Sequence, residues 1–265
     1  MEKIQSSQNG RIKNVQKLST KSKERREQNL FVIEGARELS LALAGFYSLE
    51  TVFICPELFS ETGYPEIQTE IYSSNSIEVS LPVFQKIAYR EHSDGIVALA
   101  KPKSHTLNDL NLPDHPFIIV LEAVEKPGNL GAILRTADAA KVDAVIVCDP
   151  LTDVYNPNVI RSSLGCVFTV PIAISNRFDT FSFLKENRIQ ILAAEVQASQ
   201  EYYRTDFTKA CALIMGTEAE GLTDFWIESA DVRLKIPMRG KIDSLNVSVS
   251  TAVLTFEAMR QRGFC

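Results

Sequence analysis

From Phe117 onward six short apolar runs recur, FIIVLEAV, DAVIVCD, FTVPIAI, IQILAAEV, CALIMG and VRLKIPM, with helix-patterned segments between most of them. Runs of this length read as strands, and strands alternating with helices are joined by right-handed crossovers into a parallel sheet with helices on both faces. That α/β arrangement constrains function as well as fold, because ligands of such sheets bind beyond the carboxyl ends of the strands. The residues that follow each run are therefore the first place to look for chemistry.

The preceding stretch repeats the theme on a smaller scale. LFVIEG is an apolar run ending in glycine, ARELSLALAG has helical spacing closed by Gly45, and LETVFIC and GIVALAKP are strand-like again. KPKSHTLNDLNLPDHP is polar and proline-bearing, the composition of a linker. The expected organisation is a small N-terminal α/β domain over residues 1–103, a linker over 104–115 and a larger domain over 116–265.

The net charge of −5 argues against a nucleic-acid partner until its distribution is read. Residues 1–30 carry Lys3, Arg11, Lys13, Lys17, Lys21, Lys23, Arg25 and Arg26 against Glu2, Glu24 and Glu27, a local surplus of five positive charges. Such a segment can neutralise phosphates, or it can be a solvated helical face. No apolar run approaches the roughly 18 to 20 residues that cross a bilayer, and the charged start has no apolar block behind it, so a cytoplasmic protein is expected. Cys55, Cys148, Cys166, Cys211 and Cys265 lack paired short spacing, and His92, His105 and His115 are scattered. Reduced thiols and no metal site are expected.

Three loops hold the unusual residues. In EAVEKPGNLGAILRTADAA, Gly128 and Gly131 are expected to turn the backbone, Asn129 adds an amide, and Arg135 falls one to two turns into the following helix. In LIMGTEAEGLT, Gly216 and Gly221 flank Glu218, a carboxylate able to pair with Arg135, while Thr223 is a candidate helix cap. In LKIPMRGKIDSLNVSVS, Ile236, Pro237 and Met238 end a strand and a loop reaches Ser244, Leu245 and Asn246. The beat of Ser244, Asn246, Ser248 and Ser250 imitates a strand, but the three-and-four spacing after Thr251 is helical. We expect the final helix to start near Asn246 or Val247.

The ordered set NLGAILR, GTEAEGL and IPM followed by SLNVSVS resembles the three motifs of the SpoU (TrmH) family of RNA ribose 2′-O-methyltransferases, of the SPOUT superfamily. The likeness covers about Phe117 to Gly263, and NPNVIRSSLGCVF is similar to the family's stretch after the second strand. Residues 11–43 resemble the substrate-binding domain that many members carry. The resemblance implies a trefoil-knotted domain, a homodimer paired through it, and S-adenosylmethionine held by Met215, Gly216, Glu218 and Gly221. Ile236, Pro237 and Met238, then Ser244, Leu245 and Asn246, would line the same pocket, with Ala194 and Glu195 beside it. It implies catalytic roles for Arg135, Asn129, Glu218, Ser244 and Asn246, with no metal. The implied RNA contacts are Arg11, Lys13, Lys17, Lys21, Lys23, Arg25, Arg26 and Arg161. The expected substrate is large-subunit ribosomal RNA, with transfer RNA as the alternative. A non-catalytic assembly factor on the same fold predicts degenerate motifs, whereas all three look intact. The dinucleotide-binding reading lacks its glycine fingerprint.

Overall fold

The computed structural model describes residues 1–60, 64–73, 75–90 and 93–264; His92 and Cys265, named above, lie outside them. The chain divides into two compact units, Met1–Lys103 with Asp153–Thr169, and Ser104–Thr152 with Val170–Cys265. Asp153–Thr169 thus packs with the first unit although it lies within the 116–265 stretch.

The first unit contains β1 (Glu2–Ile4), α1 (Gly10–Thr20), α2 (Ser22–Gln28), β2 (Phe31–Glu34), α3 (Ala36–Ala44), β3 (Leu49–Ile54), α4 (Pro65–Ser73), β4 (Ser76–Val79), α5 (Leu81–Ile87) and β5 (Ile96–Ala100). Its five-stranded sheet has the order β1-β4-β3-β5-β2, with β5 antiparallel to both neighbours. Helix α1 buries Ile12, Val15 and Leu18 and leaves Arg11, Lys13 and Lys17 exposed, as its spacing demands. Phe31 stacks on Tyr155 at 4.2 Å between ring centroids, Tyr47 meets Phe168 at 5.0 Å, and the hydroxyls of Tyr47 and Tyr155 lie 3.2 Å apart. This aromatic cluster is the physical reason that Asp153–Thr169 joins the unit.

Arg25, expected as an RNA contact, is buried within the first unit. Its side chain is 5% exposed, its Nε donates to Asp153 at 2.7 Å and its Nη1 to the carbonyl of Leu18 at 2.6 Å. Lys21, Lys23 and Arg26 around it are exposed. Arg25→Ala should lower the unfolding free energy by about 3 kcal/mol, because it strands a largely buried carboxylate. Lys17→Ala should stay within about 0.5 kcal/mol; urea unfolding of the two variants checks the contrast.

The second unit contains β6 (Phe117–Glu122), α6 (Pro127–Ala139) and β7 (Ala144–Cys148); α7 (Pro157–Ser162) belongs to the first unit; then follow β8 (Ile172–Ser175), α8 (Arg177–Glu186), β9 (Gln190–Ala194), β10 (Gln200–Glu201), β11 (Cys211–Met215), α9 (Asp224–Ser229), β12 (Val232–Lys235) and α10 (Val247–Gln261). Its seven strands are all parallel in the order β10-β12-β9-β11-β6-β7-β8. Ile118, Val120, Ile146, Ile191 and Ile214 share a core with Leu184 of α8 and Trp226 of α9. The alternate residues Ile119, Leu121, Val145, Val147 and Leu213 are buried as well, on the face where α6 packs on β7 and α10 packs on α6. Burial of both faces explains why these strands read as continuous apolar runs. Phe168–Val170, expected to open a strand, form a 3-10 turn and its exit instead, since Phe168 enters the aromatic cluster.

Candidate active site

The carboxyl ends of β6 and β11 lie side by side at the centre of the seven-stranded sheet, Leu121 pairing with Met215. The chain leaves β6 toward β7 and β8 but leaves β11 toward β12 on the other side, so the two loops part and a crevice opens between them. Parallel α/β sheets bind ligands at such a switch point. A hollow lies there, lined by Val124, Glu125, Lys126, Gly216, Thr217, Glu218, Ala219 and Val247.

The second motif supplies one wall. Met215 is buried at the end of β11, and Thr217 and Gly221 then exchange backbone hydrogen bonds of 2.9 and 3.2 Å that close a tight turn. A Cβ on Gly216 would stand 2.2 Å from the Gly221 carbonyl carbon, and Gly221 itself sits at φ +73°. The exit of this loop is tied to β6: Glu122, 1% exposed, accepts the Thr223 N–H at 2.9 Å and the Thr223 hydroxyl at 2.7 Å. Thr223 does occupy the N-cap position of α9, but its hydroxyl makes no cap bond and goes to Glu122. Sequence reasoning passed over Glu122, although a carboxylate ending an otherwise apolar strand was the signal.

The lead-in to the first motif supplies the opposite wall, through Val124, Glu125 and Lys126. Helix α6 starts at Pro127 with Lys126 as its N-cap, so Gly128 and Gly131 lie inside the helix and do not form the expected turn. The turn is made by Ala123, at φ +49°. Arg135 is exposed two turns along α6 and makes no hydrogen bond or ion pair among the described residues. Glu218 pairs with Lys126, which lines the same hollow, and not with Arg135. Lys126 is a second residue that the sequence reading did not single out.

The third motif closes the arrangement. Strand β12 stops at Lys235, so Ile236, Pro237 and Met238 follow it, partly buried, and do not end it. Ser244 and Leu245 are exposed, Ser244 donating only to its neighbour Asp243 at 3.3 Å. Asn246 caps α10: its Oδ1 accepts the Ser248 N–H at 3.0 Å and the Ser248 hydroxyl at 2.6 Å, while its Nδ2 donates to Asn129 Oδ1 at 3.3 Å. The serine-asparagine beat is therefore a loop followed by a helix. Asn129 Nδ2 is buried without a partner among the described residues. Asn129 and Asn246 join the first and third motifs, and Val247 shares the hollow with Gly216 and Glu218. No hydrogen bond ties Arg135 or Ser244 to this group. Ala194 ends β9 beside β11, and Glu195 donates its N–H to Leu234 at 3.0 Å while its carboxylate lies 3.8 Å from Arg233.

Among the described residues no cysteine lines the hollow. Burial pushes the Cys148 thiol up to about 12 and the Cys211 thiol up to about 11, far from ionisation at neutral pH. Among the described residues no group of three or more His, Cys, Asp or Glu is arranged to hold a metal, and no helix is long and apolar enough to cross a membrane.

An all-parallel sheet with a glycine-lined hollow at its switch point, walled by two loops and capped by the start of a last helix, defines an α/β protein built to hold an organic ligand. The chain belongs to the SpoU rRNA Methylase family, whose model matches residues 116–256. Residues 9–98 match the MRM3-like substrate binding domain. Over 97% of its length the chain is 30% identical to the 23S rRNA (guanosine(2553)-2′-O)-methyltransferase RlmP of Bacillus subtilis, of which it covers 98%. It is 39% identical over 181 residues, 66% of the chain and 73% of the relative, to the 23S rRNA (guanosine-2′-O-)-methyltransferase RlmB of Ralstonia nicotianae. The crystal structure of an AdoMet-bound rRNA methyltransferase from Sinorhizobium meliloti superposes with a TM-score of 0.88 at 28% identity, covering 98% of this chain and 97% of that one.

Proposed function

We propose that this protein transfers a methyl group from S-adenosylmethionine to the ribose 2′-hydroxyl of a guanosine in large-subunit ribosomal RNA, acting as a homodimer through a knotted second unit. The observation that carries the reading is a hollow at the ends of β6 and β11 where the lead-in to the first motif and the second motif meet Val247 of the third, with Asn246 hydrogen-bonded to Asn129 of the first. The hollow supports cofactor binding through its backbone: the Thr217–Gly221 turn leaves no room for a side chain at Gly216, which lines it. The names of both relatives support ribosomal RNA and guanosine. Exposed Leu245, Val249 and Phe256, flanking and along α10, support a second copy as neighbour.

The bound cofactor supplies a methyl group already activated on a sulfonium, so the task left to the protein is to position and ready a ribose hydroxyl. Arg135, a cation without an ion pair among the described residues, holds a phosphate of the substrate and stabilises the charge that develops on the 2′-oxygen. A guanidinium is a donor with no acceptor site, so the proton leaves to an acceptor provided by the RNA. The Asn129–Asn246 amide pair holds the first and third motifs in register, and the Lys126–Glu218 ion pair fixes the mouth of the hollow. Ser244 lies on the loop that the substrate meets.

The test is methyl transfer from tritiated S-adenosylmethionine to ribosomal RNA from a strain lacking this gene. We expect one cofactor site per chain, tritium incorporation that RNA from the parent strain does not show, and 2′-O-methylguanosine by mass spectrometry. Light scattering should give twice the 29.5 kDa chain mass. Cofactor binding without transfer to ribosomal or transfer RNA would leave the assembly-factor reading in its place.

A further inference from the structure

Methyl transfer makes no use of an exposed aromatic and an unpaired cation that face each other in the first unit. Tyr89, just past α5, is 55% exposed, yet its backbone is held firmly: Glu34 accepts the Tyr89 N–H at 2.7 Å through one carboxylate oxygen and the Arg90 N–H at 3.2 Å through the other. The guanidinium of Arg161, on α7, lies 5.6 Å from the centroid of the Tyr89 ring. Both residues border a small surface hollow lined also by Val32, Ile87, Ile160 and Ser19 of α1.

The two arginines beside Tyr89 have different duties. Arg90 is ion-paired to Glu38, which is 1% exposed, so its charge is consumed within the fold. Arg161 is exposed and has no ion pair among the described residues. A free guanidinium poised over an exposed ring is an arrangement that accepts a planar π-system and an anion together. A base and its phosphate meet that description once the nucleotide is unpaired; in a duplex the face of the base is covered. Helix α1, which brings Ser19 to the hollow, also carries exposed Lys13 and Lys17, and these extend the positive surface along which a polyanion runs.

We propose that Tyr89 and Arg161 form a subsite for an unpaired nucleotide of the substrate RNA, the base stacking on the Tyr89 ring and the phosphate resting on Arg161. This rests on the reading of the substrate as RNA, and it deepens that reading. Arg161 lies outside the 9–98 segment matched by the substrate-binding family, so Asp153–Thr169 brings into the first unit a contact that the N-terminal sequence does not contain.

The experiment uses the full chain and its Tyr89→Ala, Tyr89→Phe and Arg161→Gln variants. A fluorescein-labelled mixed-sequence ten-nucleotide RNA is titrated single-stranded and as a duplex, and KM and kcat are measured on ribosomal RNA from the deletion strain. Tyr89→Ala should weaken single-strand binding about tenfold or more, and Tyr89→Phe should stay within about twofold of the parent, since stacking needs the ring and not the hydroxyl. Arg161→Gln should weaken it several-fold and reduce the slope of log affinity against log salt by about one. KM should rise in step while kcat and cofactor affinity hold, a split that a folding defect would not give. Should Tyr89→Ala not fold, the Arg161→Gln salt slope decides. Single-strand binding by Tyr89→Ala equal to the parent's, or an equal loss on the duplex, would overturn the subsite. Tyr89-dependent binding by a protein that transfers no methyl group would overturn the proposed reaction and leave the subsite standing.

Discussion

Arg135→Ala should lower methyl transfer at least about a hundredfold while cofactor affinity stays within about twofold. The magnitude is that of removing one preorganised donor from a centre where negative charge develops. The split between the two readouts follows from the structure. Arg135 projects from the exposed side of α6, a helix anchored by Leu130, Ile133, Leu134 and Ala137, so its truncation disturbs neither the helix nor the hollow. Arg135→Lys keeps the charge but loses the two-pronged geometry, and about a tenfold loss is expected of it. Near-parental turnover by the lysine variant would make a bidentate role untenable, and loss of cofactor binding in the alanine variant would turn Arg135 into a structural residue.

Gly216→Ala should abolish measurable cofactor binding, a loss of at least about a hundredfold, and lower stability by about 2 kcal/mol, within the range for overpacking a site that cannot relax. The new methyl would stand 2.2 to 2.4 Å from backbone atoms of Gly221 and Leu222. Those atoms have nowhere to go. The Thr217–Gly221 hydrogen bonds fix the turn from within, and the buried Glu122 carboxylate fixes Thr223 just beyond it. Gly221→Ala is the control, because its Cβ meets nothing within 4 Å and the variant bears only the strain of φ +73°, about 1 kcal/mol. Calorimetric titration with S-adenosylmethionine and thermal melts of both variants measure the difference; parental affinity in Gly216→Ala would mean that the turn opens without consequence for the pocket.

Much of the second unit was legible in its residues. The runs at Phe117, Ala144 and Cys211 became strands of one parallel sheet because a strand buried on both faces has to be apolar throughout, and that composition is local. The final helix was legible for a related reason: Thr251, Leu254, Thr255 and Ala258 carry the helical period and are buried, whereas the polar beat before them belongs to a loop and a cap. The short strands Glu2–Ile4, Ser76–Val79 and Gln200–Glu201 were not legible, since half or more of their residues are polar and no apolar run marks them. Their pairing with neighbours makes them strands.

The sequence by itself determined the alternation of strands and helices, the three motifs and their order, because spacing along the chain carries these. Only the tertiary structure decided which charges meet. Arg25, identical in type to the exposed Arg26 beside it, is buried against Asp153; Glu218 takes Lys126 while Arg135 stays free; and Arg161 comes to rest over Tyr89. Ion pairs and ring contacts join residues far apart in the chain, so their partners depend on the packing that brings whole elements together and leave no periodic trace in the residues themselves.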